Sequence, residues 1–284
     1  MPTVRVRGID IYYEEHGEGP DLVVAHGLLG SIAALPQFGE RLEDIAARGV
    51  HVVAYDARGH GRSGYTTARA DYAWTALAED MRALMRALGI ERAAIYGGSM
   101  GAGTALLLAL AHPEAVDRLI LRAPPGFGAE ARPARRMFSG ALATMYKLLG
   151  VRMTAAIVAA LPAKRAGDAS QRRRLRVLLA SQRRAAIVPA IRGLLGGAPI
   201  PVERLAEIAC PALILTHPVD PIHPLSSGEI LHQQMPHAKL AVAPSPTYWE
   251  EHPEALTHVV AAYVRGDTIA EGLPPGSAHR HVPA

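Results

Sequence analysis

The stretch YGGSMGAG, residues 96–103, decides how this chain is read. It contains Gly97-x-Ser99-x-Gly101, with the apolar run AAIY before it and the helix-forming run TALLLALA after it. A serine between glycines, where a strand gives way to a helix, marks a sharp turn that presents its hydroxyl as a nucleophile. The glycines have a steric reason. The turn forces the serine into a strained backbone conformation, and side chains two residues to either side would collide. The turn also lifts the hydroxyl clear of the sheet and puts the next backbone N–H at a helix N-terminus, where developing negative charge is stabilised.

Working outward, short apolar runs recur on both sides. VRVR (4–7) and DIYYEE (10–15) predict a hairpin around Gly8. DLVVAHG (21–27), HVVAYD (51–56), AAIYGG (93–98), RLILRAP (118–124), PALILTH (211–217) and KLAVAP (239–244) predict strands buried on both faces of a parallel sheet. Helical patterns fall between them at 38–48, 74–89, 100–114, 227–235 and 253–264. The alternation predicts an α/β fold with a doubly wound, mostly parallel sheet.

Residues 127–200 break the rhythm with helical patterns alone, among them SQRRRLRVLLASQRR. They carry fourteen Lys and Arg against two acids, while the rest of the chain carries sixteen against twenty-four. This charge contrast marks a basic helical insertion, a lid, between core segments 1–126 and 201–265. The Gly- and Pro-rich tail 266–284 is expected to be disordered. With 284 residues, 49% hydrophobic and 20% charged, the chain suits one large globular unit. Its one cysteine, Cys210, excludes an intramolecular disulfide and reads as a small buried residue. The N-terminus has no apolar signal-peptide region, and the most apolar run, TALLLALA (104–111), is too short to span a bilayer. A soluble, cytoplasmic protein is expected.

Two more turns join the serine. HGLLGS (26–31) ends a predicted strand and places the Leu28 N–H as an oxyanion donor beside the Met100 N–H; DARGHGRS (56–63) follows the next strand. The order strand–HG, strand–DxRGxGxS, strand–GxSxG resembles the α/β-hydrolase fold superfamily over residues 4–265. That resemblance implies a helical lid where the basic insertion falls. It also implies that His26 and His60 shape loops, and that an acid follows the next strand in a G-x-x-D-x-x-x-P-like pattern. LILTHPVDPIHP (213–224) supplies Asp220 and Pro224, with His217 standing where the pattern has glycine.

The resemblance also implies a histidine base after the last strand. The stretch APSPTYWEEHPEAL (243–256) has Pro246 or Tyr248 at that point, depending on the alignment. His252 lies about one helical turn beyond the point and reads as a solvated helix-start residue. His223, three residues after Asp220, is the better substitute. His217, a histidine from the lid or tail, or no base at all remain open.

Serine is a poor nucleophile without an adjacent base. The residues therefore leave three readings. The first is cofactor-independent hydrolysis of a small ester, lactone or thioester, with Ser99 as nucleophile, Asp220 as acid, His223 as displaced base, and Leu28 and Met100 N–H groups as oxyanion donors. The second is a lyase or cyclase of the same fold that uses the oxyanion hole without acyl transfer. The third is a catalytically silent small-molecule binder. No cofactor motif and no metal-ligand spacing occur among the 13 histidines. The expected partner is a small carbonyl compound, anionic if the lid arginines steer it. Neither nucleic acid nor a membrane is expected.

Overall fold

The computed structural model describes residues 2–126, 131–160, 176–196, 200–220 and 222–274, without the side chains of 131–139 and 159. Eight strands form one sheet: β1 (Thr3–Val6), β2 (Ile9–His16), β3 (Asp21–Ala25), β4 (His51–Tyr55), β5 (Ala93–Gly98), β6 (Val116–Arg122), β7 (Ala212–Thr216) and β8 (Ala238–Val242). Their order is β1-β2-β4-β3-β5-β6-β7-β8. The β1–β2 and β2–β4 pairings are antiparallel and all the others are parallel. The apolar runs of the sequence correspond to these strands one for one.

Alternation along each strand divides the core in two. Val23, Val53, Ile95 and Leu119 point to one face, under α2 (Trp74–Ala87), α3 (Met100–Ala111) and the later helix Leu225–Gln234. Leu22, Val52, Ala94 and Ile120 point to the other, under α1 (Leu42–Ala46) and the last helix, Pro253–Arg265. Each fully buried Leu or Val contributes about 1.5–3 kcal/mol, and the strands carry such residues on both faces. That is why they read as continuous apolar runs.

The strand order turns over at β3. The chain leaves β3 for β4 on one side and returns to β5 on the other. In open α/β sheets ligands bind at such a switch point, outside the carboxyl ends of the strands. His26–Leu28 and Ser99 follow β3 and β5 directly.

The described residues of the insertion are mainly helical; 127–130, 161–175 and 197–199 lie outside the described residues. Helix α4 (Ala131–Ala160) is interrupted at Gly150 (φ 76°, ψ 172°), and α5 (Arg184–Gly196) follows a helical segment at 176–180. Leu142, Tyr146, Leu179, Ile187 and Ile191 give it a small core of its own, joined to the body by Tyr72. Residues 140–158 are long and apolar enough to cross a bilayer, a stretch the sequence reading passed over, although the break at Gly150 divides the helix within it.

Three expectations need correction. The single helix expected over 38–48 is a 3₁₀ turn (Ile32–Phe38) followed by the short α1. Gly39 between them is left-handed (φ 84°), and a Cβ there would lie 2.2 Å from the Trp249 carbonyl oxygen. Of the helix expected through SQRRRLRVLLASQRR, 170–175 lie outside the described residues and the rest breaks at 181–183, where polar side chains tie the insertion to core loops. Gln182 donates to the Leu29 carbonyl at 2.8 Å, and Arg183 donates to that of Ser63. Finally, the tail begins later than Gly266. A 3₁₀ turn (Ala270–Gly272) packs buried Ile269 and partly buried Leu273 against the core, and 275–284 lie outside the described residues.

The remaining helices, in chain order, are α6 (Leu225–Gln234), α7 (Tyr248–Glu251) and α8 (Pro253–Arg265).

Candidate active site

Ser99 sits between β5 and α3 with φ 48° and ψ −105°, a combination that non-glycine residues rarely adopt. Crowding around it explains the flanking glycines. A Cβ on Gly97 would lie 2.3 Å from the Gly101 carbonyl carbon, and one on Gly101 would lie 2.1 Å from the Ala25 carbonyl oxygen. The Ser99 N–H donates to the Arg122 carbonyl at 2.9 Å, which ties the turn to the end of β6.

Ser99 Oγ lies 2.7 Å from His223 Nε2, and His223 Nδ1 lies 2.8 Å from Asp220 Oδ2. The second contact assigns the tautomer. Nδ1–H donates to the carboxylate, leaving Nε2 to accept from the serine hydroxyl. The other carboxylate oxygen, Oδ1, accepts the N–H groups of Ile222 (2.8 Å) and His223 (3.0 Å), so Asp220 and His223 close one tight turn after β7. Burial works against the Asp220 carboxylate, but the His223 imidazole and these two N–H groups outweigh it and hold it well below the usual range.

The other histidines are placed elsewhere. His217 lies beside the acid, with Nε2 3.8 Å from Asp220 Oδ2; burial lowers its pKa. His252 is half exposed, begins α8 and faces Glu254 at 3.8 Å. His26 and His60 serve the loops, as expected. His26 Nδ1–H donates to the Gly27 carbonyl (2.7 Å), and Nε2 accepts the Ala57 N–H (2.9 Å). His60 donates to the Arg58 carbonyl at 2.9 Å. Burial lowers the pKa of His26 to about 4 and that of His60 to about 3, so both are neutral near pH 7. Asp56 clamps the two loops together, accepting the N–H groups of Ile32 and Arg62, both at 2.7 Å.

Leu28 lines the cavity beside Ser99. Met100 is the first residue of α3, where a backbone N–H has no carbonyl partner within the helix. Cys210, part-buried, has its thiol pKa raised by burial to about 11 and plays no part here.

Ser99 lines two cavities. The larger, about 370 Å³, is also lined by Leu28, Leu35, Glu40, Arg122, Thr247 and Glu250. The smaller, about 70 Å³, lies between Ser99, His223, Trp74, Ile191, Leu194 and Ile222. Residues of the insertion line both, Leu178 the first and α5 the second. Of the basic lid residues, Arg183 and Arg184 are spent on backbone carbonyls. Sequence reading missed Glu40 and Arg122. The available signal was a cation directly after the buried run LIL at the end of β6. Among the described residues, no group of three or more His, Cys, Asp or Glu could hold a metal ion.

Comparison with known proteins decides the family. A family model described as alpha/beta hydrolase fold matches residues 20–245. The chain belongs to the alpha/beta hydrolase fold family. RutD of Caulobacter sp. (strain K31), named as a carbamate hydrolase, is 30% identical over 286 residues, covering 90% of this chain and 96% of that protein. The 2-hydroxy-6-oxo-6-phenylhexa-2,4-dienoate hydrolase of Comamonas testosteroni is 33% identical over 128 residues, 42% of this chain and 41% of that hydrolase. The first curated relatives are matched over about a third to two-fifths of their own length. Among solved structures, the enol-lactonase of Burkholderia xenovorans LB400 superposes with a TM-score of 0.78 at 22% identity, covering 93% of this chain and all of that one. At that identity the likeness carries the fold alone.

Proposed function

We propose that this alpha/beta hydrolase cleaves a small carboxylic ester, lactone or thioester through Ser99, with His223 as a displaced base. The observation that carries this reading is the unbroken chain of contacts Ser99 Oγ–His223 Nε2–His223 Nδ1–Asp220 Oδ2, at 2.7 and 2.8 Å. In the first half-reaction Nε2 takes the serine proton as Oγ attacks the carbonyl carbon. The oxygen of the tetrahedral intermediate takes up negative charge facing the Leu28 and Met100 N–H groups. The imidazolium, held by Asp220, then returns its proton to the leaving oxygen or sulfur, and the C–O or C–S bond breaks. In the second half-reaction a water molecule, deprotonated by the same nitrogen, releases the acid and restores the serine. No cofactor enters either step.

The test is fluorophosphonate labelling and p-nitrophenyl acetate hydrolysis by wild type, Ser99→Ala and His223→Ala. Labelling of wild type that is lost in Ser99→Ala and strongly slowed in His223→Ala is the expected result. A folded wild type that neither labels nor turns over would instead favour the lyase, cyclase or silent-binder readings.

A further inference from the structure

The outward side of the insertion is apolar. Among the described residues seven large hydrophobic side chains are exposed, and five of them belong to the insertion. On α4, Leu148 is 71% exposed, Leu149 48%, Met153 55% and Ile157 37%; on the helical segment 176–180, Val177 is 52% exposed. Leu148 and Leu149 stand immediately before the break at Gly150. After the break the helix is apolar on nearly every side. At 3.6 residues per turn, Met153, Ala156, Ile157 and Ala160 share its outward side, with Arg152 at the edge, and all but the part-buried Ala156 are exposed. Val151, Ala155 and Val158 take the inward side and pack into the insertion's own core with Leu179 and Ile187. A helix that is hydrophobic all round is normally covered, by protein or by lipid.

Charge selects the cover. The described residues of the insertion contain no Asp or Glu. Lys147, Arg152 and Arg176 are exposed beside Leu148, Met153 and Val177, and none of the three pairs with a carboxylate among the described residues. The stretch that follows α4 in sequence, LPAKRAGDASQRRRL (161–175), adds five Lys and Arg against one Asp and has only two large apolar residues, too few to cover the face. A second copy would set this cationic face against itself, which like-charge repulsion opposes. The described part of the face also exposes no aromatic side chain of the kind that anchors protein partners in pockets. An anionic bilayer surface meets both demands. The Leu, Met and Ile tips enter the boundary of the acyl region, and the basic side chains reach the headgroups. Because the inward side is already packed and Gly150 breaks the helix, the face lies on a bilayer and does not cross it.

We propose that the outward face of the insertion docks on an anionic lipid surface, with Leu148, Leu149, Met153 and Ile157 as the apolar contact and Lys147, Arg152 and Arg176 as the electrostatic one. This departs from the expectation of no membrane partner, and exposure is the reason. Basic and apolar positions mixed along a helix usually separate into a solvated side and a buried side. Here large apolar side chains stand on the solvated side among the cations. The corner that presents Leu148 and Leu149 is tied down, since Arg184 at the start of α5 donates to the Lys147 carbonyl. Docking needs neither Ser99 nor His223, so it stands apart from the hydrolase reading.

The test is sedimentation of the full chain with sucrose-loaded vesicles, one set of phosphatidylcholine alone and one of equimolar phosphatidylcholine and phosphatidylglycerol. At about 0.1 M salt, where the Debye length is about 10 Å, the anionic vesicles are expected to bind at least about tenfold more tightly than the neutral ones. That margin should shrink at about 1 M salt, where the length is about 3 Å. Leu148→Ser combined with Met153→Ser should weaken anionic binding by at least about tenfold, and so should Lys147→Glu combined with Arg152→Glu. Both pairs change exposed side chains, and far-UV circular dichroism checks each fold; either pair carries the test if the other misfolds. Equal sedimentation with both vesicles, sedimentation with neither, or variants that bind as the wild type does would overturn the proposal. A dimer in light scattering that comes apart in the Leu148→Ser, Met153→Ser protein would give the face to a second copy instead. Binding to polyglutamate that this pair abolishes, without vesicle binding, would give it to an acidic protein.

Discussion

Replacing Ser99 by alanine and by glycine separates the strain of the turn from its chemistry. Both changes remove Oγ and its 2.7 Å contact with His223, so that loss cancels in the comparison. Alanine keeps a Cβ and with it the cost of holding φ 48°, ψ −105°, about 1–3 kcal/mol for a residue in such a region. Glycine removes that cost but loses about 0.4–1 kcal/mol through the greater freedom of its unfolded chain. Taking about 2 kcal/mol of strain against about 0.7 leaves Ser99→Gly more stable than Ser99→Ala by about 1 kcal/mol. Urea unfolding of the two proteins, followed by far-UV circular dichroism, measures the difference. The slopes should match and the midpoint of the glycine variant should be higher. Neither variant should hydrolyse esters. A glycine variant no more stable than the alanine variant would mean that the turn stores no strain, and the steric account of the flanking glycines would fall with it.

Four further outcomes are expected. His223→Ala should lower ester turnover by about as much as Ser99→Ala, and the double variant should be hardly worse than either, since nucleophile and base act as a unit; additive losses would refute this. His252→Ala should leave kcat/KM within about twofold of wild type, because the residue is half exposed and faces Glu254; a large loss would move the base to the start of α8. Gly101→Ala should destabilise the protein by about 3 kcal/mol or more, because its Cβ would lie 2.1 Å from the Ala25 carbonyl oxygen; a wild-type urea midpoint would contradict the packing. Stability should fall as the pH drops below about 6.5, because His26 and His60, with folded pKa values of about 4 and about 3, stay neutral while the unfolded chain takes up protons. Each contributes about 1.4 kcal/mol per pH unit, and equal urea stability at pH 7 and pH 5 would show that these rings are not buried neutral.

The sheet was legible in the sequence for a simple reason. Strand segments such as LIL (119–121) and VVAY (52–55) are buried on both faces and carry apolar side chains without interruption. Ser99 was legible because its turn demands glycines at fixed offsets. His223 was reached by a different route: the loop after β8 offered no histidine, and Asp220 had one three residues on. Its distance to Ser99 depends on how the turn after β7 folds, which no local pattern specifies. Glu40 was hidden more thoroughly. It fell within an apparent amphipathic helix, and only the left-handed Gly39 against the Trp249 carbonyl turns that segment inward. The break at 181–183 escaped notice for a related reason, since Gln182 and Arg183 look solvent-facing until their partners on Leu29 and Ser63 are known.

The closeness in sequence of Asp220 and His223, three positions apart, has a consequence for how this chain can change over time. On the proposed assignment the proton relay is anchored at two places, the end of β5 and the end of β7. The loop after β8 contributes no reacting group, yet Pro246 and Thr247 still form part of the cavity wall. Substitutions there can reshape what is admitted without realigning what reacts. This loop is therefore the place where selectivity can drift at least risk to rate, and the natural region to randomise when seeking variants with a new substrate range.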